Sequence, residues 1–368
     1  MITSVGKDKS IMFNFDLNQE FLSIALAAGR GSRLYPLTDS CPKPLVPFCG
    51  IEILSLVIKK FEEVGLTDIG LNAHYRHEMI TDFVGGLQGS DKIRYHISYE
   101  YENLLGTAGC YPPFDKFRDG RSILTANGDV LSSINLNDLI AFHRSQKADA
   151  TMAVLSKPHH PDATHIWVEN GEIKHIGKSN GGFQNASPHG FACFQILEDN
   201  AIAAIPQSEY SELVSLYDFM IKSGKKISAY IHSDDWFDLG THDDYFKAHM
   251  HFLSKLDALN IETQDDEFSV ISSLKANGLR IFHVKTGETK KLCNNVNVIG
   301  PSLIIGNPRI PDKNHFVEIG PHSVVMDQVV FASDCHVSQS IILPNSIVNE
   351  DHDNKIIYEQ FSINIKNL

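Results

Sequence analysis

The stretch LAAGRGSRLYPLTDSCPKPLVPFCG, from Leu26 to Gly50, places cations on a glycine-rich turn directly after an apolar run. Glycines in such a turn let backbone N–H groups approach a phosphate without obstruction by a Cβ atom. Arg33 could bind phosphate oxygens in a fork, and Lys43 could add a point charge. The prolines of the stretch stiffen the loop that separates these two side chains. The pattern predicts a phosphate cradle, and the alternative is a solvated basic loop.

Two well-known phosphate-binding motifs do not account for this stretch. A P-loop requires GxxxxGK[ST], which is absent here. The dinucleotide fingerprint requires GxGxxG, and the third glycine is missing after Gly29 and Gly31. The sequence therefore supports neither a P-loop NTPase nor a dinucleotide-binding protein.

Composition limits the class of partner. The 368 residues carry a net charge of −13, which argues against a general nucleic-acid or anionic-membrane surface. A small anionic ligand held by local groups is still compatible with that charge. The six cysteines are scattered without a CxxC pair, and the first residues do not resemble a signal peptide. We therefore expect a cytoplasmic protein with no membrane partner.

Apolar periodicity predicts alternating strands and helices in the first part of the chain. FLSIALAA, TDIGLNA, IRYHISYE, RSILTANGDV and ADATMAVLS are typical of strands, and three segments between them have helical spacing. This alternation indicates an α/β domain with a Rossmann-like, mostly parallel sheet. The glycine turn and the Asn-Gly-Asp of residues 127–129 both follow strands, and ligands bind at that end of such sheets.

The last third of the chain has a six-residue period. Apolar residues recur at Ile319, Val325, Phe331, Val337 and Leu343, each followed four positions later by a small or branched residue. Hexads of this kind are typical of a β-helix, and the alternative is a β-meander with accidental spacing. The length of the chain favours two domains. We predict an N-terminal extension over 1–20, an α/β domain over 21–255 and a β-helical domain over 256–368.

The stretch from 26 to 50 resembles the LAAGxGTRLxPLTxxxPKPLxPxxG signature of the sugar-1-phosphate nucleotidylyltransferases, with Ser32 in place of the more frequent threonine. Three further segments resemble elements of that family in the same order: YENLLGTAG (101–109), NGDV (127–130) and DWFDLGTHDDY (235–245). The hexad tail resembles the left-handed β-helix of the mannose-1-phosphate guanylyltransferase branch. The resemblance covers roughly residues 21–350.

This resemblance implies a reaction and the residues that perform it. A sugar 1-phosphate would attack the α-phosphorus of an NTP and displace pyrophosphate, and Mg²⁺ and cations would offset the repulsion between two anions. Asp129 and Asp238 would hold the Mg²⁺. Arg33 would stabilise the leaving pyrophosphate, and Lys43 would contact the phosphates of the reacting pair. The implied nucleotide-binding residues are Leu26, Ala27, Ala28, Gly29, Gly31, Ser32, Arg33, Lys43, Gly106 and Thr107.

The implied sugar-phosphate residues are Asn127, Lys178 and Gly190. Lys178 stands in HIGKSNGG, where many members of the family have Glu-Lys-Pro, and both the glutamate and the proline are absent. The alternative for Lys178 is a surface lysine. The histidines of KPHHPDATH and THDDYFKAHMH lack a compact zinc spacing, so we interpret them as surface or core residues.

The functional hypothesis is therefore an enzyme that makes an NDP-sugar, with GTP and mannose 1-phosphate as the first choice of substrates. The alternatives are a UTP- or dTTP-dependent enzyme of the N-acetylmuramate or glucose type, and a non-catalytic regulatory subunit that binds nucleotide sugars. A degenerate binding protein would be expected to lose part of the set Arg33, Lys43, Asp129 and Asp238, and here all four are present. We also expect a homo-oligomer that is formed or aided by the C-terminal domain.

Overall fold

The computed structural model describes residues 16–87, 92–158, 163–207, 209–262, 264, 266–312 and 314–365. Residues 1–15 of the predicted N-terminal extension, and His159 and His160, lie outside the described residues. No helix within these ranges is both long enough and apolar enough to cross a lipid bilayer.

The α-helices are α1 Ile53–Glu63, α2 His77–Leu87, α3 Gly106–Gly109, α4 Asp115–Arg118, α5 Leu136–Gln146, α6 Asp199–Ile202, α7 Leu213–Lys222, α8 His242–Leu256 and α9 Val270–Ala276. The strands of the α/β part are β1 Phe21–Leu26, β2 Pro47–Phe48, β3 Ile51–Glu52, β4 Asp68–Ala73, β5 Arg94–Tyr99, β6 Ser122–Asn127, β7 Val130–Ser132, β8 Ala150–Leu155, β9 His165–Glu169, β10 Glu172–Gly177, β11 Ser187–Leu197, β12 Ile227–His232 and β13 Trp236–Asp238. The strands of the C-terminal part are β14 Ile281–Val284, β15 Thr289–Cys293, β16 Val296–Ile299, β17 Ser302–Ile305, β18 Val317–Ile319, β19 Ser323–Val325, β20 Val330–Phe331, β21 Cys335–Ser338, β22 Ile341–Ile342, β23 Ile347–Val348, β24 His352–Asp353, β25 Lys355–Tyr358 and β26 Phe361–Asn364.

A nine-stranded sheet forms the centre of the α/β part, in the order β5-β4-β1-β6-β11-β8-β12-β10-β9. The strands from β5 to β6 are parallel, and so is the pair β8 and β12. Strand β11 runs antiparallel between β6 and β8, and β9 and β10 complete an antiparallel edge. The predicted α/β class is confirmed. The parallel strands β4, β1 and β6 direct their carboxyl ends to one edge of the sheet.

Helices cover both faces of this sheet, and the side chains of β1 point alternately to one face and to the other. Phe21 and Ala25 pack with the apolar faces of α1, α2 and α5, whereas Leu22 and Ile24 pack with residues of α7. Helix α5 begins after Asn135, whose side chain accepts hydrogen bonds from the backbone N–H groups of Asn137 and Asp138.

The C-terminal part is a short β-helix. Its strands stack in parallel ladders, β16-β18-β21-β24, β17-β19-β22-β25 and β20-β23, and Ile319 pairs with Val337 across one coil. All five hexad residues are buried. Four of them lie in the interior cluster of the β-helix, as predicted, whereas Leu343 packs in a different cluster because Val325 pairs with Ile342 and not with Leu343. The residues that follow each hexad residue by four positions are also buried, except Ile347 on β23, which is 42% exposed. The left-handed sense of the coil stays a prediction.

The β-helix and the α/β part share an apolar core. Phe48, Phe252 and Phe268 belong to the same buried cluster as Ile305 and Leu343 of the β-helix. The hydroxyl groups of Ser40 and Tyr358 also form a hydrogen bond between the two parts. Removal of the chain beyond about residue 255 would therefore expose a large apolar face. The domain boundary at 255 stays a prediction, and α8 ends at Leu256.

Candidate active site

The glycine-rich turn after β1 folds back so that its two ends meet. Gly31 has a φ of +67°, and a Cβ atom there would lie 2.6 Å from the Cβ of Lys43. The hydroxyl group of Thr38 donates a hydrogen bond of 2.8 Å to the carbonyl oxygen of Gly31. Only glycine satisfies both the backbone conformation and the close approach at this position. The turn thereby brings Lys43 next to Gly31, which follows the carboxyl end of β1.

A pair of short strands brings together two aspartates that are far apart in the sequence. Strand β7 pairs antiparallel with β13, and Asp238 lies opposite Val130, the residue after Asp129. The turn that holds Asp129 lies close to β1, because the N–H of Gly128 donates a 2.9 Å hydrogen bond to Leu26. A Cβ atom at Gly128 would lie 2.7 Å from the same carbonyl oxygen. Asp129, Asp238 and the signature turn therefore meet at one edge of the sheet.

Lys43 bridges these two aspartates. Its Nζ lies 2.8 Å from Oδ2 of Asp129 and 3.1 Å from Oδ1 of Asp238, and its side chain is only 7% exposed. Burial alone would lower the pKa of Lys43, but attraction to the two carboxylates outweighs it, so the pKa lies above its ordinary value. Lys43 is therefore a buried and charged ammonium group held between two carboxylates.

Arg33 lies at the open side of this cluster. Its Nη2 is 3.6 Å from Oδ2 of Asp238, and its side chain is 66% exposed. A Cβ atom at Gly240 would lie 2.6 Å from this Nη2, so the glycine of the WFDLGT element makes room for the guanidinium group. Arg30 contacts a different group, because its guanidinium carbon lies over the ring of Tyr75 at 5.3 Å.

The two aspartates fit the predicted Mg²⁺ site. Both carboxylates contact the ammonium nitrogen of Lys43. Mg²⁺ is a hard cation and prefers oxygen ligands such as these carboxylates. The ammonium group of Lys43 lies within reach of both carboxylates, so one cation can contact both aspartates at once. Asp129 and Asp238 are therefore the residues that would hold a divalent metal.

The predicted nucleotide-side residues lie in two segments. Ala27 and Ala28 are buried in the turn, while a Cβ atom at Gly29 would meet no other atom within 4 Å. The second segment is α3, where a Cβ at Gly106 would lie 2.5 Å from the carbonyl oxygen of Ser211. The hydroxyl group of Thr107 accepts a 3.0 Å hydrogen bond from the backbone N–H of Leu213. Thus α3 is fixed against the residues before α7, and Gly29 faces open space.

The predicted sugar-phosphate residues are less concentrated. Asn127 ends β6 and lies opposite Leu26, and Gly190 lies in β11 opposite Leu155. Lys178 is exposed directly after β10, and no ion pair joins it to the aspartates in the described parts of the chain. The role of Lys178 stays a prediction.

Two features of this region were not expected from the sequence. Cys193 has a φ of +66° within an irregular part of β11, and burial, together with the charges of Asp129 and Asp238, raises the pKa of its thiol. Asn72 and Glu100 are buried at the ends of β4 and β5. Polar residues that directly end predicted parallel strands are the signal that could have identified Asn72 and Glu100.

A second cluster of side chains could in principle bind a metal ion, but a lysine already bonds to its carboxylates. The ligand atoms of Asp235, His251 and Glu267 approach one another within 4.8 Å. The ammonium group of Lys255 bonds to both Asp235 and Glu267. Exposed clusters of this composition are common as ion-pair networks, and we assign no metal to it.

Comparison with known proteins shows what this chain is similar to. A family model for nucleotidyl transferases matches residues 22–175. A mannose-1-phosphate guanylyltransferase from Mycobacterium tuberculosis is 27% identical over 239 residues, which is 61% of this chain and 63% of that protein. A UTP–glucose-1-phosphate uridylyltransferase from Synechocystis is 24% identical over 345 residues, which is 85% of this chain and 88% of that protein.

A solved structure has the same fold. It is a Bacillus anthracis protein described as a glucose-1-phosphate thymidylyltransferase, and it aligns with a TM-score of 0.54 at 19% identity. The alignment covers 67% of this chain and 98% of that chain. Residues 22–175 thus match the nucleotidyl transferase model, and the chain is similar to several sugar-1-phosphate nucleotidyltransferases over the part that contains Arg33, Lys43 and Asp129.

Proposed function

We propose that this protein is an enzyme that transfers a nucleotidyl group from an NTP to a sugar 1-phosphate and releases pyrophosphate. The observation that supports this reaction best is the convergence of two cations and two carboxylates at the carboxyl ends of β1 and β6. A reaction between two anions needs this combination, because negative charge on the transferring and leaving groups must be stabilised.

Each residue has a separate task in the proposed reaction. The turn around Gly29 and Gly31 presents backbone N–H groups to the triphosphate. Arg33, exposed at the mouth of the cluster, contacts the leaving pyrophosphate, and Lys43 contacts the phosphates that react. Asp129 and Asp238 would hold Mg²⁺, which when bound would supply positive charge to offset the negative charge of the phosphates. No general base is required, since the attacking phosphate is already ionised.

We propose GTP and mannose 1-phosphate as the preferred substrates. The support is the similarity to the guanylyltransferase from Mycobacterium tuberculosis and to a Dictyostelium discoideum mannose-1-phosphate guanylyltransferase catalytic subunit beta, which is 31% identical over 156 residues. UTP with glucose 1-phosphate is the second candidate, because the Synechocystis uridylyltransferase aligns over 85% of this chain.

A matrix of NTPs against sugar 1-phosphates, followed by pyrophosphate release in Mg²⁺, tests the proposal. The expected result is release with one preferred pair, and the Asp129→Asn variant is the control for a contaminating activity. A purified, folded protein that releases no pyrophosphate with any pair would favour the regulatory subunit instead.

A further inference from the structure

A buried chain of hydrogen bonds connects the two segments that face the proposed nucleotide. The backbone N–H of Ala27 donates to Oδ1 of Asn72 at 2.7 Å, and Nδ2 of Asn72 donates to Oε1 of Glu100 at 2.8 Å. The other carboxylate oxygen of Glu100 accepts a 2.8 Å hydrogen bond from the N–H of Leu105. Ala27 lies in the glycine-rich turn, and Leu105 immediately precedes α3.

The direction of every hydrogen bond in this chain is fixed. The N–H groups of Ala27 and Leu105 can only donate, so each must face an acceptor. Between them, Asn72 accepts at one end and donates at the other, and Glu100 accepts at both ends. One amide and one carboxylate together therefore satisfy both backbone donors and each other. Asn72 is 5% exposed and Glu100 is 3% exposed, so water cannot readily replace a lost partner.

We propose that Asn72 and Glu100 are positioning residues that set the spacing between the glycine-rich turn and α3, and so determine the affinity for the NTP. This inference rests on the proposed function, because the resemblance implies that both segments contact the nucleotide. Neither side chain needs to touch the substrate. They act through the backbone of Ala27 and of Leu105.

Single exchanges between amide and carboxylate break the chain without changing its shape. In Glu100→Gln, whichever way the two side-chain amides are turned, at least one NH₂ group faces either the other NH₂ group or a backbone N–H. In Asn72→Asp two carboxylates face each other with no donor between them. We expect each single variant to raise the Kd for the NTP by about tenfold or more, with the KM for sugar 1-phosphate within about twofold of wild type.

The double variant Asn72→Asp/Glu100→Gln restores every donor and acceptor. The new glutamine donates to the aspartate and accepts from Leu105, while the aspartate accepts from Ala27. We expect its Kd for the NTP to return to within about threefold of wild type. This recovery distinguishes a positioning pair from two side chains that are merely needed for folding.

A matched control is the buried hydrogen bond between Thr151 and His143, with an Oγ1–Nδ1 distance of 2.8 Å. Thr151 lies at the opposite end of the sheet from the site, next to Ala150, at the beginning of β8. Thr151→Val removes a buried hydrogen bond at similar volume, so it should lower the melting temperature while leaving the Kd for the NTP unchanged.

The measurement is calorimetric titration of wild type and variants with GTP, UTP and dTTP in Mg²⁺, combined with KM values and melting temperatures. Equal NTP affinity in wild type and single variants would overturn the inference, as would a folded double variant that recovers no affinity. A wild type that binds NTP but releases no pyrophosphate would remove the proposed reaction, and the binding series would still decide the inference. A wild type that binds none of the three nucleotides would overturn both.

Discussion

Replacement of Lys43 by methionine should have opposite effects on metal binding and on turnover. The ammonium group lies between Asp129 and Asp238, at 2.8 and 3.1 Å from their carboxylate oxygens. A divalent cation that binds both carboxylates must displace at least one of these contacts. Lys43 therefore competes with the metal until the phosphates of the substrate attract it away.

The size of the effect follows from those contacts. A hydrogen bond to a charged partner contributes about 1.5–3 kcal/mol. Loss of one such competing contact should tighten metal binding roughly 10- to 150-fold, because each 1.4 kcal/mol is a factor of ten. Turnover should fall roughly 30- to 1000-fold, since a lost contact to a transition-state phosphate costs about 2–4 kcal/mol.

Mn²⁺ is a suitable probe, because it accepts the same oxygen ligands and its free concentration can be followed by electron paramagnetic resonance. The titration compares wild type, Lys43→Met and Lys60→Met without nucleotide. Lys60 is also buried, but its Nζ contacts the backbone oxygen of Glu267 at 3.5 Å and not the aspartate pair. We expect tighter Mn²⁺ binding only for Lys43→Met. Equal affinity in all three folded proteins would refute the competition between Lys43 and the metal.

Three further predictions concern the phosphate cation, a buried histidine and the β-helix. Arg33→Ala should lower kcat/KM by roughly 30- to 1000-fold and Arg30→Ala by much less, and equal losses in steady-state assays would contradict the assignment. His249 is fully buried between the backbones of Cys49 and Tyr245, and burial lowers its pKa to about 3. As the pH falls below about 6.5, this histidine therefore becomes protonated in the unfolded chain but not in the folded protein, which lowers the stability. Urea unfolding should therefore show about 2 kcal/mol less stability from this residue at pH 5 than at pH 7, a difference that His249→Gln removes and that equal pH dependence in both proteins would disprove. Val337→Asp should destabilise the β-helix by about 3–5 kcal/mol and Ile347→Asp, on an exposed position, by less than about 1 kcal/mol, and similar melting temperatures for the two variants would count against the buried hexad interior.

Local patterns were sufficient to predict much of the fold. The apolar run before Gly29 predicts β1, and the helical spacing after Gly50 predicts α1, because burial on one face imposes a fixed period on each element. The hexads correctly predicted four residues of the β-helix interior for the same reason, and the fifth, Leu343, is buried in the core shared with the α/β part. Ile347 departs from the pattern because the pairing register slips by one residue after Val325, which pairs with Ile342 and not with Leu343. Ile347 therefore lies opposite the partly buried Val330, while its neighbour Val348 lies opposite the buried Phe331 and is itself buried.

Long-range relations required the structure. The sequence identified Asp129 and Asp238 through a resemblance, but their contact depends on the pairing of β7 with β13, which no local period specifies. The antiparallel insertion of β11 and the core shared with the β-helix are likewise contacts between distant residues. Asn72 and Glu100 escaped attention because each is an ordinary polar residue until the parallel strands place them side by side.

The Mg²⁺ dependence of pyrophosphate release by wild type, Asp129→Asn and Asp238→Asn tests the central claim most directly, with exposed Asp234→Asn as the matched control. The account predicts that both site variants lose several orders of magnitude in turnover at saturating Mg²⁺ while retaining the wild-type melting profile and that Asp234→Asn retains full activity. Near-wild-type release by either folded site variant would contradict the assignment of these aspartates as the metal-binding pair.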